Sequence, residues 1–251
     1  MCKGIKIILK LPKKIYKQDL FCADKKKLYF CPIVNSKKLR KMENLLLSTA
    51  YLPNIQYFRA IYQNTEILTE QFETFPKQSF RNRAYIMTAN CVMSINIPLE
   101  KVNSKHLTKD IKISSHENWQ PKHWHAIVSA YNSSPFFEYF RDDFEEFFTK
   151  KYEFLLDFNT EIIYKILNIL NIKREIKFTS DYIFENTPGY EDLRQKIHPK
   201  TPQTQGVNYY DTTVYPQVFD SKHGFTENLS IIDAIFNIGE ETINLLKKNE
   251  K

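Results

Sequence analysis

Leucine-rich runs alternate with amphipathic stretches along the first part of this chain. Residues 45–50 are typical of a buried strand, which Pro53 ends. Apolar residues recur at helical spacing over 55–62, where Asn54 can cap the helix, and residues 65–69 predict a second strand. A strand, a helix and a strand in so short a stretch are typical of a βαβ unit, so we predict a parallel sheet.

The middle of the chain predicts paired strands. Two short apolar runs, 84–88 and 92–97, flank a turn and predict a β-hairpin, which Pro98 closes. Residues 101–109 are polar and predict a loop. Residues 110–114 alternate apolar and polar positions, so we predict another strand there.

From Trp119 onwards the apolar period becomes helical, and it continues at that spacing to Tyr131. Ser134 and Pro135 suit the cap and the first position of the next helix. That helix would present an aromatic face made of Phe136, Phe137, Phe140, Phe144, Phe147 and Phe148. A further amphipathic helix is predicted to begin at Asn159.

The last part of the chain predicts one more strand and further helices. Residues 175–179 predict a returning strand, and a loop-rich segment contains a short predicted helix at 191–197. Asn228 is predicted to cap a helix over 229–238, which Gly239 ends. Together the elements predict an α/β fold: a Rossmann-like parallel or mixed sheet with flanking helices and a helical C-terminal half.

Charge divides the 251 residues into two parts. The chain has 36 Lys/Arg and 29 Asp/Glu residues. Residues 1–41 hold 13 of the basic residues and 2 of the acidic ones, so the remainder is mildly acidic. Met42 precedes an apolar run, as a native start would. We expect residues 1–41 to be a basic N-terminal extension, disordered or not native, and 42–251 to form a single domain. A basic arm could also hold nucleic acid, but we do not expect that partner.

Cysteine usage and apolar segments bear on compartment and cofactors. The four cysteines form no CxxC pair, so we expect reduced thiols in a cytoplasm and neither a disulfide framework nor a metal site. The apolar runs are too short for a membrane span or a signal sequence. Because GxGxxG and Walker motifs are absent, we expect no dinucleotide cofactor, and we assign no other. The oligomeric state is left open.

Residues 76–83 concentrate positive charge directly after an apolar segment. Their polar members are Lys77, Gln78, Arg81, Asn82 and Arg83. Guanidinium forks make paired hydrogen bonds to phosphate or carboxylate, so one interpretation is a clamp for a ligand phosphate. If the backbone is extended, Arg81 and Arg83 share one side and Asn82 lies opposite. The alternative is a pair of surface arginines bound to the protein's own carboxylates.

His123 and Tyr51 are candidate catalytic residues. On a helix, His123 and His125 diverge by about 200°, so they cannot share a metal ion. His123 lies on an apolar face, where it is either hydrogen-bonded in a packing seam or a base that titrates near neutrality. Tyr51 follows the first strand, and ligands bind beyond strand ends in open α/β sheets.

Several separated motifs occur in order along residues 45–238. They are Tyr51-Leu52-Pro53, Lys77-Gln78 with Arg81-Asn82-Arg83, Ile97-Pro98, Asn118-Trp119 with His123-Trp124, Ser134-Pro135-Phe136-Phe137 and Asn228-Leu229-Ser230-Ile231. This set resembles the WbqC-like family, and the resemblance implies that 42–251 is a single WbqC-like domain. It also implies a bacterial or archaeal protein encoded among genes for O-antigen and other surface polysaccharides.

The resemblance implies sugar-nucleotide or glycan chemistry, with two interpretations. In the first, a transferase modifies an amino sugar on a nucleotide- or lipid-linked precursor. Lys77, Arg81 and Arg83 would then hold the diphosphate, and His123 would take the proton of the attacking amine. In the second, a non-catalytic protein binds such a precursor or a partner enzyme. Many relatives carry paired aspartates after the second strand, where this chain has Gln71 and Phe72, so no role of those acids is carried over.

Overall fold

The computed structural model describes residues 44–103, 105–115, 118–200, 209–210 and 212–247. The chain divides into two units, 1–39 and 40–251, and every described residue belongs to the second. The expectations for residues 1–41, and for three of the four cysteines, fall outside the described residues.

The βαβ unit predicted at the start of the domain is confirmed. Its elements are β1 (Asn44–Ser48), α1 (Ile55–Gln63) and β2 (Ile67–Glu70). The two strands are parallel, with Leu45 opposite Ile67. The Asn54 side chain caps α1 by accepting a hydrogen bond of 3.0 Å from the Tyr57 amide. β1 is buried along its leucines, as a central parallel strand should be.

The predicted hairpin is also confirmed, and the strand predicted after it is wrong. β3 (Arg83–Met87) and β4 (Val92–Asn96) are antiparallel. Over 110–114 the chain instead leaves a short 3-10 turn and makes single bridges, Lys112 to Phe154 and Ile113 to Leu99. The alternation of apolar residues there buries side chains against two different neighbours, so no continuous ladder forms.

Three helices follow: α2 (Trp119–Tyr131), α3 (Phe137–Thr149) and α4 (Leu155–Ile169). α2 is as predicted. α3 begins after Ser134 and Pro135 rather than at them, and Phe136 is the flanking residue. α4 begins ahead of the predicted Asn159, because the buried residues Leu155 and Phe158 extend its apolar face towards the N-terminus.

Two more strands complete the parallel sheet. β5 (Ile176–Phe178) is the predicted returning strand and pairs with β2. β6 (Tyr190–Asp192) pairs with β1 where a short helix was predicted, so that prediction is wrong. Pairing with the otherwise open edge of β1 outweighs the local sequence preference. The strand order is β5-β2-β1-β6.

The C-terminal part is helical, with α5 (Asp220–His223), α6 (Ile231–Ile238) and α7 (Thr242–Leu246). The chain therefore has the predicted α/β fold, with a four-stranded parallel sheet, flanking helices and a helical C-terminal half. Asn228 does not cap α6; it has φ 52° and accepts a hydrogen bond from the Gln56 amide. Gly239 ends α6 as predicted, with φ 61°. Across the described ranges, no helix has the length and apolar character needed to cross a membrane.

The strand order fixes where a ligand is expected. The chain passes from β1 to β2 on one side and returns to β6 on the other side of β1. The connections therefore diverge beyond the carboxyl ends of β1 and β6. In open α/β sheets, such a divergence leaves a crevice in which ligands bind.

Candidate functional site

Arg81 is bound inside the protein. Its Nε and Nη2 atoms donate to Oε1 and Oε2 of Glu73, both at 2.7 Å, and the side chains are 1% and 7% exposed. The segment before Arg83 consists of turns and bends, with φ 59° at Gln78, so the condition of an extended backbone does not hold. The sequence left two partners open for Arg81, a ligand phosphate and a protein carboxylate. In the structure its partner is the carboxylate of Glu73.

A second set of buried charges lies at the carboxyl ends of β2 and β6. Arg194 donates from Nη2 to Asp192 at 2.6 Å, and its Nη1 is 3.5 Å from Oε2 of Glu70. Glu70 is fully buried and also accepts hydrogen bonds from the Thr179 hydroxyl and the Ile183 amide, each 2.9 Å long. Burial acts to lower the pKa of Arg194, but Asp192 raises it overall. These bonds tie the loops after β2, β5 and β6 together.

His198 is half-buried, and several cations act on its imidazole. Its pKa is lowered, first by burial and then by the positive charges of Arg81, Lys200 and Arg83. The His198 Nδ1 atom accepts a hydrogen bond of 3.2 Å from the Lys200 amide. Arg81 is paired with Glu73, whereas Arg83 and Lys200 belong to other parts of the chain that also act on this imidazole. We call His198, Arg83 and Lys200 the cationic cluster.

The remaining residues of the 76–83 stretch are spread over different positions. Arg83 is half-exposed and donates from Nε to the Asn96 side chain at 2.6 Å. Asn82 donates to the Ile97 carbonyl at 2.9 Å and so braces the hairpin. Lys77 and Gln78 are exposed. The structure thus brings Arg83 to the cationic cluster and leaves the role of Lys77 and Gln78 as a prediction.

Tyr51 and His123 lie against each other in the interior. The Tyr51 hydroxyl is 2.9 Å from His123 Nδ1, and the residues are 0% and 7% exposed. Burial lowers the pKa of His123 to about 4, partly offset by a hydrogen bond with the backbone of Asn96. Burial raises the pKa of Tyr51 well above its ordinary value. Both groups are therefore neutral at pH 7, and Tyr51 is the donor to His123.

The Tyr51–His123 pair adjoins the cation-rich stretch. The Tyr51 amide donates to the Phe80 carbonyl at 2.9 Å. Asn96 joins the two parts directly, because its side chain accepts from Arg83 and its backbone bonds His123. The structure therefore brings together three of the residues selected from the sequence: Tyr51, His123 and Arg83.

Two neighbouring cavities open at the carboxyl edge of the sheet. One, of about 270 Å³, is lined by Glu73, Tyr182 and Arg194 among others. The other, of about 400 Å³, is lined by Asp192 and Lys196 among others. Glu185 and Gln195 line both. No group of three or more side chains suited to holding a metal ion occurs in the described part of the chain.

Sequence reasoning missed Glu73, Asp192, Arg194, His198 and Lys200. Four of these follow or end β6, which was predicted as a helix, so their place at the sheet edge was not recognised. The available signal was the spacing of charged residues just after short apolar runs, because such residues gather at the carboxyl edge of a parallel sheet. Pairing of so short a strand with β1 is a long-range contact that this signal alone does not reveal.

Comparisons with known proteins identify a family for this sequence. The model of the WbqC-like protein family matches residues 49–211, a range that includes Tyr51, His123 and the cationic cluster. An uncharacterized protein of Mycobacterium tuberculosis is 21% identical over 224 residues, which are 80% of this chain and 96% of that protein. No solved structure matches the chain.

Proposed function

We propose a function from the premise that this chain belongs to the WbqC-like protein family, whose model covers more than half of it. The proposed protein is a transferase of surface-polysaccharide (O-antigen) biosynthesis. It modifies an amino sugar that is carried on a nucleotide- or lipid-linked precursor in the cytoplasm. Its ligand is the phosphorylated precursor, bound through the cationic cluster.

One observation carries the proposal: the positive field at His198. The pKa of this imidazole is lowered first by burial and then by the positive charges of Arg81, Lys200 and Arg83. A diphosphate would be attracted to these cations, and the Arg83 fork suits its paired oxygens. His198 and Lys200 follow the carboxyl end of β6, the end of a strand at which ligands of open α/β sheets bind, and Arg83 begins β3.

In the transfer step, the nitrogen of the sugar amine attacks the carbonyl carbon of an activated acyl donor. The C–N bond forms, the bond from that carbon to the donor's leaving group breaks, and the amine loses a proton. In the resting protein Tyr51 positions the neutral imidazole by donating to Nδ1. For His123 to accept the amine proton at Nδ1, the Tyr51 hydroxyl has to turn away from that nitrogen as the substrate binds.

A second candidate function is non-catalytic binding of the same precursor or of a partner enzyme. The enclosure of His123 favours it, since the ring is 7% exposed and has hydrogen-bond partners in Tyr51 and Asn96. In this case the Tyr51–His123 pair stabilises the packing between α2 and the end of β1. Only the cationic cluster then contacts the ligand.

Thermal shift with a panel of sugar nucleotides tests the ligand. A ligand at 100 times its dissociation constant should stabilise the wild type by about 2.7 kcal/mol. Lys200→Ala should weaken binding, whereas the control Lys122→Ala, which alters an exposed lysine on α2, should not. If the panel gives no shift, or if both variants respond alike, phosphate binding by the cationic cluster is wrong.

Mass spectrometry of the sugar after incubation with activated acyl donors separates the two candidates. Acylated product that is lost in His123→Gln, while sugar-nucleotide affinity is kept, supports the transferase. Binding without product from any donor favours the non-catalytic protein. Folding of the variant is checked by its melting temperature, because His123 is buried.

A further inference from the structure

The cavity of about 270 Å³ differs from the cationic cluster in both charge and surface. Its charged lining side chains are Glu73, Glu185 and Arg194, and the Arg194 charge is already met by Asp192 and Glu70. Only Glu185 among these three lining residues is exposed to solvent. With their ion-pair partners included, the carboxylates of Glu70, Glu73, Glu185 and Asp192 outnumber the guanidinium groups of Arg81 and Arg194, so the charge around the cavity favours a cation over a phosphate.

The aromatic side chain of Tyr182 lines the same cavity, and Phe184 packs against Tyr182. The Tyr182 ring is 39% exposed, and the Arg194 guanidinium lies 5.4 Å from its centre. Phe184 is 73% exposed and meets the Tyr182 ring edge-on, with centroids 5.2 Å apart. Arg194, itself 3% exposed, thus fixes the Tyr182 ring while leaving aromatic surface open to solvent. Large aromatic side chains held at an exposed site are typical of a contact surface for a ligand.

We propose that this cavity binds an amino-sugar ring, with the C–H face of the ring on Tyr182 and its amine and hydroxyl groups directed at Glu185. A sugar ring has one apolar face and a polar rim, which matches an aromatic wall beside a carboxylate. The excess of carboxylates favours a ring that carries an ammonium group over a neutral one. The inference assigns the sugar end of the ligand and rests on the proposed function only for the phosphate end.

The buried Glu73–Arg81 pair relates the two ends. Glu73 lines the cavity, while Arg81 contributes to the positive field at His198. The two side chains are in direct contact, so a carboxylate-rich cavity and a cationic cluster adjoin across one ion pair. This polarity suits a ligand with a phosphate group at one end and an amine at the other.

Saturation-transfer NMR with free glucosamine and free glucose tests the cavity without any phosphate. Glucosamine should bind more tightly than glucose, by about threefold or more. Tyr182→Ala should weaken glucosamine about three- to tenfold, the range for losing one aromatic contact. Tyr182→Phe keeps the ring and should bind as the wild type does. Glu185→Gln should remove the preference for glucosamine.

The matched control is Tyr139→Ala, because Tyr139 is a 74% exposed tyrosine on α3 and should be silent. Circular dichroism checks that Tyr182→Ala, which also loses its contact with Arg194, stays folded. If glucosamine does not bind, or if its affinity is the same in wild type, Tyr182→Ala and Glu185→Gln, the inference is overturned.

Calorimetry with UDP and UDP-glucosamine distinguishes failure of the inference from failure of the proposed function. If UDP binds, but the sugar adds no affinity and Tyr182→Ala leaves the affinity for UDP-glucosamine unchanged, the cavity assignment is wrong and phosphate binding is supported. If UDP does not bind but glucosamine binding depends on Tyr182 and Glu185, the proposed phosphate site falls and the sugar site stands. If both hold, UDP-glucosamine should bind more tightly than UDP, and Tyr182→Ala should reduce that difference.

Discussion

Glu73 and Arg81 hold each other through two parallel hydrogen bonds of 2.7 Å, and both side chains are withdrawn from solvent. Removing one partner leaves a buried charge without compensation, which typically costs about 3–5 kcal/mol. We therefore expect Arg81→Met and Glu73→Gln each to lower the free energy of unfolding by that order. The double variant should lose less than the sum of the two. Urea unfolding of all four proteins measures the coupling, and strictly additive losses would contradict it.

The enclosed His123 should make stability depend on pH. Its pKa is lowered from the ordinary value of 6.5 to about 4 in the folded protein, so the unfolded chain takes up the proton first as the pH falls. The stabilisation is complete above pH 6.5 and is lost progressively down to about pH 4, with a loss of about 2 kcal/mol by pH 5. The free energy of unfolding, measured with urea between pH 7 and 5, should change less with pH in His123→Gln than in the wild type.

The exposed His125 supplies the control for this measurement. In His125→Gln the free energy of unfolding should depend on pH as it does in the wild type. Since the pKa of His198 is also lowered, part of the dependence should persist in His123→Gln. If His123→Gln retains the whole pH dependence, the pKa of His123 is not depressed by its surroundings.

Tyr51→Phe should lower the free energy of unfolding and raise the pKa of His123. The change removes the donor 2.9 Å from Nδ1 and leaves that buried nitrogen without it, which costs about 1–3 kcal/mol. The lost hydrogen bond favours the neutral imidazole, so its removal moves the pKa of His123 upward. Denaturant unfolding gives the first effect, and an NMR titration of the imidazole gives the second. A pKa that stays in place would mean that Tyr51 does not donate to His123.

Local patterns predicted most of the fold. The leucines of β1 form a short continuous apolar run, as in a strand buried on both faces, while α1 and α3 each bury one face at the helical period, so the sequence contains enough information to place them. β6 and the segment 110–114 were predicted wrongly for one shared reason. Their backbone conformation is decided by partners distant in sequence, β1 in the first case and Phe154 and Leu99 in the second.

The candidate site was predictable only in part, for the same reason. Tyr51, His123 and Arg83 lie on or beside correctly predicted elements, and the structure brings them together. Which cation would be paired internally could not be decided, because Glu73 and Arg81 meet through a turn with φ 59° at Gln78. Arg194, His198 and Lys200 follow β6, so the wrong prediction for this three-residue strand concealed their place in the fold.

We expect Arg83 to bind the ligand and Arg81 to stabilise the fold. Arg83 is half-exposed, and its bonds to Asn96 and Tyr85 lie at the surface, so Arg83→Lys should change the free energy of unfolding by less than about 1 kcal/mol. An ammonium cannot replace a guanidinium fork on a phosphate. Losing one charged hydrogen bond should weaken sugar-nucleotide binding about ten- to a hundredfold.

Arg81→Lys should show the opposite pattern, since a single ammonium cannot keep both bonds to Glu73. The free energy of unfolding should fall, and affinity measured well below the melting temperature should change little. Arg141→Lys, which alters a surface pair with Glu145, controls for the chemistry of the substitution. Melting temperature and calorimetric affinity of the three variants decide the matter together. A loss of stability in Arg83→Lys with unchanged affinity would assign Arg83 to the fold as well, and Arg83 would then have no part in binding.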